Sequence, residues 1–345
     1  MSERQLFIRA CWREEVERTP VWLMRQAGRY MRAYRRIRGR HSFLEMCKNP
    51  RIAAEVTLQP VERLGVDAAI LFSDILVLVE AMGMRLEFHE GLGPRLSEPV
   101  RTPEGVHRLR VPDVERDLHY VMEAIKLARK KLRGRVPLIG FSGAPFTLAS
   151  YVIEGRSSRS FRFTKEMMFS QPEAFCALME KLTTAVIDYV NAQVDAGVQA
   201  LQIFDSWAGC LAPQDYEQYV LPHMRRLFSE IEARGEVPVI HFANQAGTFL
   251  EKVRLAGGDV IGVDWRIPLD EAWRRVGYEV GIQGNLDPLA LFAPLHEIER
   301  RVRDVLDRAA SRPGHIFNLG HGVHKDTPEE KVVALVKMVK RLGAR

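Results

Sequence analysis

The sequence predicts a single-domain α/β protein, a (β/α)8 TIM barrel whose active site lies at the C-terminal ends of its strands. Three observations lead to this prediction. Short apolar runs recur eight times, longer amphipathic segments alternate with them, and no linker rich in Pro, Gly or Ser divides the chain. With 345 residues, 46% of them hydrophobic, the chain can bury a large core, so one domain spanning 1–345 is expected.

The predicted strands are the eight apolar runs, and the segments between them have the periodicity of amphipathic helices. In chain order the runs are VWLM (21–24), DAAILF (67–72), PLIGF (137–141), ALQIFD (200–205), PVIHFA (238–243), VIGVDW (260–265), GIQGNL (281–286) and HIFNLG (315–320). Helical spacing is seen at Leu118, Val121, Met122, Ile125 and Ala128, and at Phe175, Leu178, Leu182, Val186 and Val190. The turn-rich stretch from Arg85 to Pro112 is predicted to fold over the barrel mouth or to form a small hairpin.

Composition and charge narrow the class of protein. The net charge of +6 would suit nucleic acid, but no basic stretch carries interleaved aromatic residues, so an acidic small molecule is the predicted partner. The four cysteines lack CxxC spacing, which argues against a disulfide framework and a zinc ribbon. Neither a signal-peptide core nor an apolar run of about eighteen residues is found, so we expect a cytoplasmic protein without a membrane segment.

An arginine cluster follows the first predicted strand, and it comprises Arg25, Arg29, Arg32, Arg35, Arg36 and Arg38. A solvated basic helix face is the ordinary explanation of such a run. Three features favour the binding of several carboxylates instead. The cluster begins where a strand ends, Gly28 lets the backbone approach a ligand, and Gln26 adds a planar amide.

Polar residues follow most of the other predicted strands. They are Ser73 and Asp74 after the second strand, the loop leading to Tyr151 after the third, Asp205 and Ser206 where the fourth ends, Asp264 where the sixth ends, Asn285 and Asp287 where the seventh ends, and His321 where the eighth ends. Because the active site of such a barrel lies at the C-terminal ends of its strands, we expect these side chains to converge.

Asp74 lies between the apolar runs AAILFS and ILVLV. A carboxylate in such surroundings must be paired or functional. Two interpretations are open. Asp74 either caps the next helix or accepts several N–H donors of one ligand, which an ionised aspartate with about four lone-pair sites can do.

Tyr151 and His321 also leave alternatives open. Tyr151 is either a core aromatic residue or a ligand contact, and His321 either pairs with His324 on a metal or lies in a phosphate-binding loop with its flanking glycines. A metal needs further ligands, and His241, the other strand-end histidine, has no cysteine nearby in sequence. Since no Ser-His-Asp order, P-loop or dinucleotide fingerprint is present either, we predict neither a metal nor an organic cofactor.

Several stretches resemble signatures of the uroporphyrinogen decarboxylase family. They are MRQAGRY (24–30), LFSDIL (71–76), EGLGP (90–94), GFSGAPFTLASYVIEG (140–155), FDSWAG (204–209), GNLDP (284–288) and NLGHGV (318–323). Together they span nearly the whole chain, which chance explains poorly.

The resemblance implies an enzyme of heme biosynthesis that removes four acetate carboxyls from uroporphyrinogen III without a cofactor, and a homodimer. It further implies that Asp74 accepts pyrrole N–H bonds and stabilises a cationic intermediate, with Arg25 and Arg29 as its catalytic partners. The implied substrate contacts are Arg25, Gln26, Ala27, Gly28, Arg29, Arg38, Asp74, Tyr151, Ser206 and His321. Arginine suits this polyanionic tetrapyrrole because its planar fork binds carboxylates bidentately.

The chain departs from the family at Arg32 and Ala33, where most members have Pro-Glu, and at Lys325, where many have Pro. These changes spare the matched contact residues but bear on the geometry of the substrate's arms.

Two other functions stay open. One is a cobamide-dependent methyltransferase of a related barrel class, which needs zinc held by one His and two Cys, and the other is a non-catalytic tetrapyrrole-binding protein. A sugar-phosphate barrel enzyme would need fewer arginines.

Overall fold

The parallel strands of the protein form a ring. A computed structural model describes residues 5–89, 93–232 and 235–345. Within these ranges the strands are β1 (Ala69–Ile70), β2 (Leu86–His89), β3 (Gly93–Leu96), β4 (Leu138–Gly143), β5 (Ala200–Asp205), β6 (Val239–Ala243), β7 (Val260–Gly262), β8 (Gly281–Leu286) and β9 (His315–Leu319). All except β2 and β3 form one parallel sheet in the order β1-β4-β5-β6-β7-β8-β9.

The segment 20–24 closes the ring between β9 and β1. Val21 forms a parallel bridge with Phe317 of β9, and the N–H of Phe317 donates to the carbonyl of Pro20 at 2.9 Å. On the other side, the N–H of Asp67 donates to the carbonyl of Val21 at 2.8 Å. The eighth barrel position is therefore filled by the first predicted strand, and the predicted (β/α)8 class is confirmed.

Side chains take over the hydrogen bonding at the end of this first segment. The N–H groups of Leu23 and Met24 donate to the side-chain oxygens Gln26 Oε1 and Asn318 Oδ1, at 3.1 Å each, instead of to backbone carbonyls of a neighbouring strand. Backbone pairing with β9 extends only to the N–H of Trp22, which donates to the carbonyl of Phe317 at 3.4 Å, so the regular part is shorter than the apolar run suggested.

The second predicted strand is shortened for a similar reason. Of the run 67–72, only Ala69–Ile70 has strand geometry. The N–H of Phe72 donates to the hydroxyl of Thr57 at 2.9 Å, so the chain leaves the sheet before the apolar run ends.

The first part of the turn-rich stretch from Arg85 to Pro112 forms a small hairpin, one of the two alternatives that the sequence left open, and its later part contains a short helix. β2 and β3 pair antiparallel, with Leu86 opposite Leu96. The N–H of Leu96 donates to the carbonyl of Gly155 at 2.8 Å, which attaches the hairpin to the loop after the helix that follows β4. Residues 90–92 of the family-like segment EGLGP lie outside the described residues.

Helices surround the ring and connect its strands. In the described ranges they are α1 (Leu6–Cys11), α2 (Arg32–Arg38), α3 (Phe43–Lys48), α4 (Pro50–Leu64), α5 (Val77–Ala81), α6 (Pro103–Arg108), α7 (Val114–Asp117), α8 (His119–Leu132), α9 (Pro145–Glu154), α10 (Arg162–Ser170), α11 (Pro172–Asp195), α12 (Pro213–Tyr219), α13 (Leu221–Ser229), α14 (Leu250–Ala256), α15 (Leu269–Val276), α16 (Leu295–Ala309) and α17 (Glu329–Leu342). The two clearest helical periodicities of the sequence correspond to α8 and α11.

A chain of buried polar side chains crosses the barrel interior. Trp22 Nε1 donates to Gln283 Oε1 at 2.9 Å, and Gln283 Nε2 donates to Gln202 Oε1 at 3.0 Å. The three residues come from the closing segment, β8 and β5, so these bonds link distant parts of the ring. All four cysteines of the chain are free. Among the described helices, none combines the length and apolar character that crossing a membrane requires.

Candidate active site

Arg25 lies on the turn after the closing segment, and its backbone has a left-handed φ of 58°. This conformation costs a non-glycine residue on the order of 1–3 kcal/mol and tends to occur at functional sites. The turn is tied to the last barrel loop, because the N–H of Val323 donates to the carbonyl of Met24 at 2.9 Å. In the same loop, a Cβ added to Gly322 would lie 2.6 Å from Arg25 Cγ. The first and last loops together therefore direct this side chain.

The Arg25 guanidinium acts on three predicted site residues. Burial raises the pKa of Asp74, and the Leu76 N–H and the Arg25 charge both oppose that rise. Burial also raises the pKa of Tyr151 to about 12, again against the influence of Arg25. For His321, burial and then the charge of Arg25 are the main causes that lower the pKa to about 4. The charge of Arg25 therefore acts on residues from three other barrel units.

Asp74 combines a contact to its own turn with an open oxygen. Oδ1 accepts a hydrogen bond from the N–H of Leu76 at 2.9 Å, in the turn that precedes α5, while α5 itself has no side-chain cap. Oδ2 makes no hydrogen bond to any described residue, and the side chain is partly exposed. Asp74 therefore keeps acceptor capacity for a ligand.

Tyr151 faces a tryptophan that the sequence analysis did not single out. The ring centroids of Tyr151 and Trp207 are 5.9 Å apart, and the indole opposes the rise that burial causes in the pKa of Tyr151. Ser206 precedes Trp207 in the turn after β5 and is partly exposed. Trp207 could have been predicted as a site residue from the sequence, because it follows a strand end within the family-like segment FDSWAG.

The buried carboxylate of Asp205 is linked to the backbone of Trp207 through Thr147. Asp205 Oδ1 accepts a hydrogen bond from the Thr147 hydroxyl at 3.0 Å, and that hydroxyl accepts one from the N–H of Trp207 at 3.2 Å. Asp205 Oδ2 has no hydrogen-bond partner among the described residues. Burial raises the pKa of Asp205 to about 7, while the Thr147 hydrogen bond opposes the rise. Sequence analysis placed Asp205 at a strand end without giving it a role.

His321 lies among charged groups from neighbouring loops. Besides Arg25, the charges of Arg266 and Asp264 influence its pKa. Asp264 Oδ1 accepts a hydrogen bond from the N–H of Arg266 at 2.8 Å, which fixes this pair. The ring of His321 is 6.5 Å from that of Phe242. Because its pKa is low, the imidazole is neutral near pH 7 and can donate one hydrogen bond and accept another.

Two other predicted contact residues are engaged within the protein. Gln26 is fully buried, and its amide accepts from the N–H of Leu23 and donates to the carbonyl of Ala68, at 3.1 Å each. Both amide atoms are used, so Gln26 fixes the turn and does not present its side chain to a ligand. Arg38 is half-buried at the end of α2, where Nη1 donates to the carbonyl of His41 at 2.9 Å.

Arg29 is exposed and lines a cleft of about 1000 Å³. The other charged residues that line the cleft are Arg32, Arg35, Arg63, Lys325, Asp326, Glu329 and Glu330. Arg25 does not line this cleft, and the partly exposed Ala27 and Gly28 lie between the two arginines in the chain. Both family departures that add a cation, Arg32 and Lys325, therefore fall in one cleft.

The described part of the barrel mouth offers no group of three His, Cys, Asp or Glu donors. His324 Nδ1 accepts a hydrogen bond from the N–H of Asp326 at 3.2 Å. His241 Nδ1 lies 3.3 Å from the carbonyl of Gly257. The His and two Cys that the methyltransferase alternative requires do not come together among these residues.

Comparisons with known proteins show the family of the chain. The model of the family described as Uroporphyrinogen decarboxylase (URO-D) matches residues 2–342. The uroporphyrinogen decarboxylase of Carboxydothermus hydrogenoformans is 56% identical over 338 residues, covering 98% of this chain and 96% of its own. That of Geobacter metallireducens is 54% identical over 339 residues, covering 98% and 99%. A solved methyltransferase from Methanosarcina mazei, 23% identical, covers 98% of this chain and 99% of its own with a TM-score of 0.84, which shows a shared fold. The chain belongs to the uroporphyrinogen decarboxylase family.

Proposed function

We propose that this chain is a carboxy-lyase that converts uroporphyrinogen III to coproporphyrinogen III by removing four acetate carboxyls as CO₂. Relatives named uroporphyrinogen decarboxylase, at 52–56% identity over nearly the full length, support the proposal. The observation that carries it is Asp74, whose Oδ2 is open while the charge of Arg25 acts on the same carboxyl. A carboxylate among apolar neighbours is retained where its charge is used.

In the proposed mechanism, the pyrrole ring of the substrate is the electron sink, so no cofactor is invoked. Protonation of a ring carbon makes the ring cationic. The bond between the acetate methylene and its carboxylate then breaks, the electron pair enters the ring, and CO₂ leaves. A second proton converts the methylene to a methyl group, and the ring carbon releases its added proton. Asp74 stabilises the cationic stage, which exists only along the reaction path, and so favours the transition state over the bound substrate.

The arginines are proposed to hold the carboxylate arms of the substrate. Uroporphyrinogen carries eight carboxylates, and several guanidiniums can bind them bidentately while remaining charged. Arg25 and Arg29, with the backbone of Ala27 and Gly28 between them, would bind acetate and propionate arms, and Arg38 a further one. The contacts of Arg25 with the last barrel loop would orient the arm nearest to Asp74.

Tyr151, Ser206 and His321 are proposed as the remaining substrate contacts. A guanidinium is a poor general acid, so Arg25 is not proposed as the proton donor. His321, with its pKa lowered to about 4, is unprotonated near neutral pH. We therefore propose that water relays the proton that activates the ring.

Purified protein incubated with anaerobically prepared uroporphyrinogen, followed by chromatographic separation of the products, tests this function. Carboxyl groups should be lost in steps until the tetracarboxylated product accumulates. Binding of the substrate without release of CO₂ would identify a non-catalytic tetrapyrrole-binding protein. Methyl transfer to a thiol that depends on zinc would support the methyltransferase alternative.

We also propose that the chain is one domain over residues 1–345 and forms a homodimer in the cytoplasm. A family match over 2–342 and a core that runs through the whole barrel support the single domain. The free cysteines accord with a reducing compartment. Light scattering coupled to size-exclusion chromatography would test the dimer, and one cooperative unfolding transition would support the single domain.

A further inference from the structure

The outer helix layer carries a thiol, a carboxylate and an imidazole in close proximity. Ligand atoms of Cys176, Glu180 and His223 all lie within 4.8 Å of one another. Cys176 and Glu180 are four residues apart on α11, so their side chains lie on the same face of that helix. His223 comes from α13. Side chains of α11 and α13 thus bring a sulfur, an oxygen and a nitrogen donor close together.

His223 provides a second and independent indication of a ligand. Its side chain is only 7% exposed, and Nδ1 lies 3.1 Å from Glu180 Oε1. Despite this distance, Nδ1 makes no hydrogen bond to any residue that the structure describes. A buried polar atom without a partner is destabilising, and native structures usually satisfy it with a bound group. Nδ1 faces the Glu180 carboxylate without a hydrogen bond to it, within the same group of donor atoms as the Cys176 thiol.

We propose that Cys176, Glu180 and His223 bind one Zn²⁺ ion, with water as the fourth ligand. Thiolate sulfur, imidazole nitrogen and carboxylate oxygen are the ligand types of zinc, and soft sulfur disfavours Mg²⁺ and Ca²⁺. In a tetrahedral site with bonds of about 2.0–2.3 Å, the ligand atoms are about 3.3–3.8 Å apart. Exposed side chains on α11 need only small rotations to reach that separation, since Cys176 and Glu180 are both exposed.

Arg226 limits the strength of this site. Its Nη1 lies 2.8 Å from Glu180 Oε2, and its Nε lies 2.9 Å from Glu230 Oε1. The pairing leaves Glu180 Oε1, the atom nearest to His223, for the metal. The guanidinium nevertheless repels a dication, so we expect weaker binding than at a closed site with four protein ligands. Bound zinc would join α11 to α13 and stabilise the fold by mass action.

Titration of the metal-free full-length protein with ZnCl₂ alone, followed by calorimetry, tests the proposal. One Zn²⁺ per chain should bind, and the Tm should rise with the zinc concentration. Cys176→Ser should weaken binding at least ~10-fold, because losing a group that merely supports a metal ligand already costs ~10–100-fold. Cobalt(II) should give a thiolate charge-transfer absorption that Cys176→Ser abolishes.

The matched control is Cys210→Ser, which removes a partly exposed thiol elsewhere in the chain. It should bind zinc like the unmodified protein. Glu180→Gln, at a second exposed ligand, should weaken binding as Cys176→Ser does, so the test does not depend on the buried His223. Absence of stoichiometric binding, or equal affinity of Cys176→Ser and Cys210→Ser, would overturn the proposal.

Discussion

The side chain of Arg25 lies against the backbone of Gly322. A Cβ on Gly322 would be 2.6 Å from Arg25 Cγ and 3.0 Å from Nε, well inside van der Waals separation. Since the two residues belong to the loops after the first and last barrel segments, the missing side chain at one loop determines the direction of the guanidinium on the other. Arg25 in turn acts on Asp74, Tyr151 and His321.

Gly322→Ala should therefore impair catalysis without unfolding the protein. The added methyl group would displace the Arg25 side chain, and a shift of about 1 Å at a positioning group can cost ~10²-fold. We expect kcat/KM to fall by ~10–100-fold with little change in Tm. Gly247→Ala is the control, because a Cβ there meets no heavy atom within 4 Å. Equal kinetics of the two variants would show that Arg25 does not depend on Gly322.

Arg25→Ala and Arg29→Ala should mainly weaken substrate capture. Both side chains are exposed cations, and the attraction between many opposite charges is screened by salt. We expect KM to rise more than kcat falls, and KM of the unmodified enzyme to increase over a tenfold range of ionic strength. Arg36→Ala, an exposed arginine of α2 that does not line the cleft, should change KM little. Affinity that does not vary with salt would contradict the proposed role of the arginines.

Removal of metal by a chelator tests separately whether turnover needs a metal and whether zinc stabilises the fold. Turnover should survive exhaustive removal of metal, because the described donors at the barrel mouth do not form a zinc site. The Tm should fall on chelation if zinc occupies Cys176, Glu180 and His223. Loss of turnover that zinc restores would instead favour metal-dependent chemistry.

Site residues that the sequence located well are those whose position follows from strand order. Asp74, Tyr151 and His321 each come after an apolar run of a different barrel unit, and parallel strands bring such positions to one end of the barrel. The charge of Arg25 influences the pKa of all three residues, as expected for side chains at the same end of the barrel. The hydrophobic pattern was therefore sufficient to predict the barrel and the end of it at which these candidate residues lie.

The direction of a side chain and its hydrogen bonds to residues distant in the chain could not be predicted from the hydrophobic pattern. Gln26 is adjacent to Arg25, yet its amide turns inward to bond the backbone of Leu23 and Ala68. Thr147 and Asp205 meet although 58 residues separate them. No local pattern encodes either contact, because both depend on how neighbouring strands and helices pack.

Asp205 predicts a pH dependence of stability. Its pKa is about 7 in the folded protein, against 3.8 as the ordinary value, so the folded state holds a proton that the unfolded state loses between these pH values. Stability should therefore fall as pH rises from about 4 to about 7 and stay lower above that. Asp205→Asn retains an acceptor for Thr147 but no charge, so its advantage over the unmodified protein should grow across this window by on the order of a few kcal/mol. Chemical denaturation at several pH values measures the free energy of unfolding of both proteins, and Glu173→Gln, at an exposed position, is the control. Parallel pH profiles for Asp205→Asn and the unmodified protein would refute the raised pKa of Asp205.

Asp74→Asn tests the central feature of the proposed mechanism. The amide oxygen can still accept the Leu76 N–H, so folding should survive, but the negative charge is lost and an N–H₂ group faces the pyrrole donors. We expect turnover to fall by ~10²–10³-fold, as for other preorganised stabilising groups. Asp74→Glu should also lose activity, since an added methylene displaces the carboxylate.

Asp113→Asn provides the matched control for a purely capping role. Asp113 accepts the N–H of Arg116 at 3.2 Å at the start of α7, so this variant alters a helix cap without touching the barrel mouth. Turnover and Tm of the three variants should be compared on folded protein. If Asp74→Asn retained near-normal turnover, as Asp113→Asn should, then Asp74 would be only a cap and charge stabilisation by it would have to be abandoned.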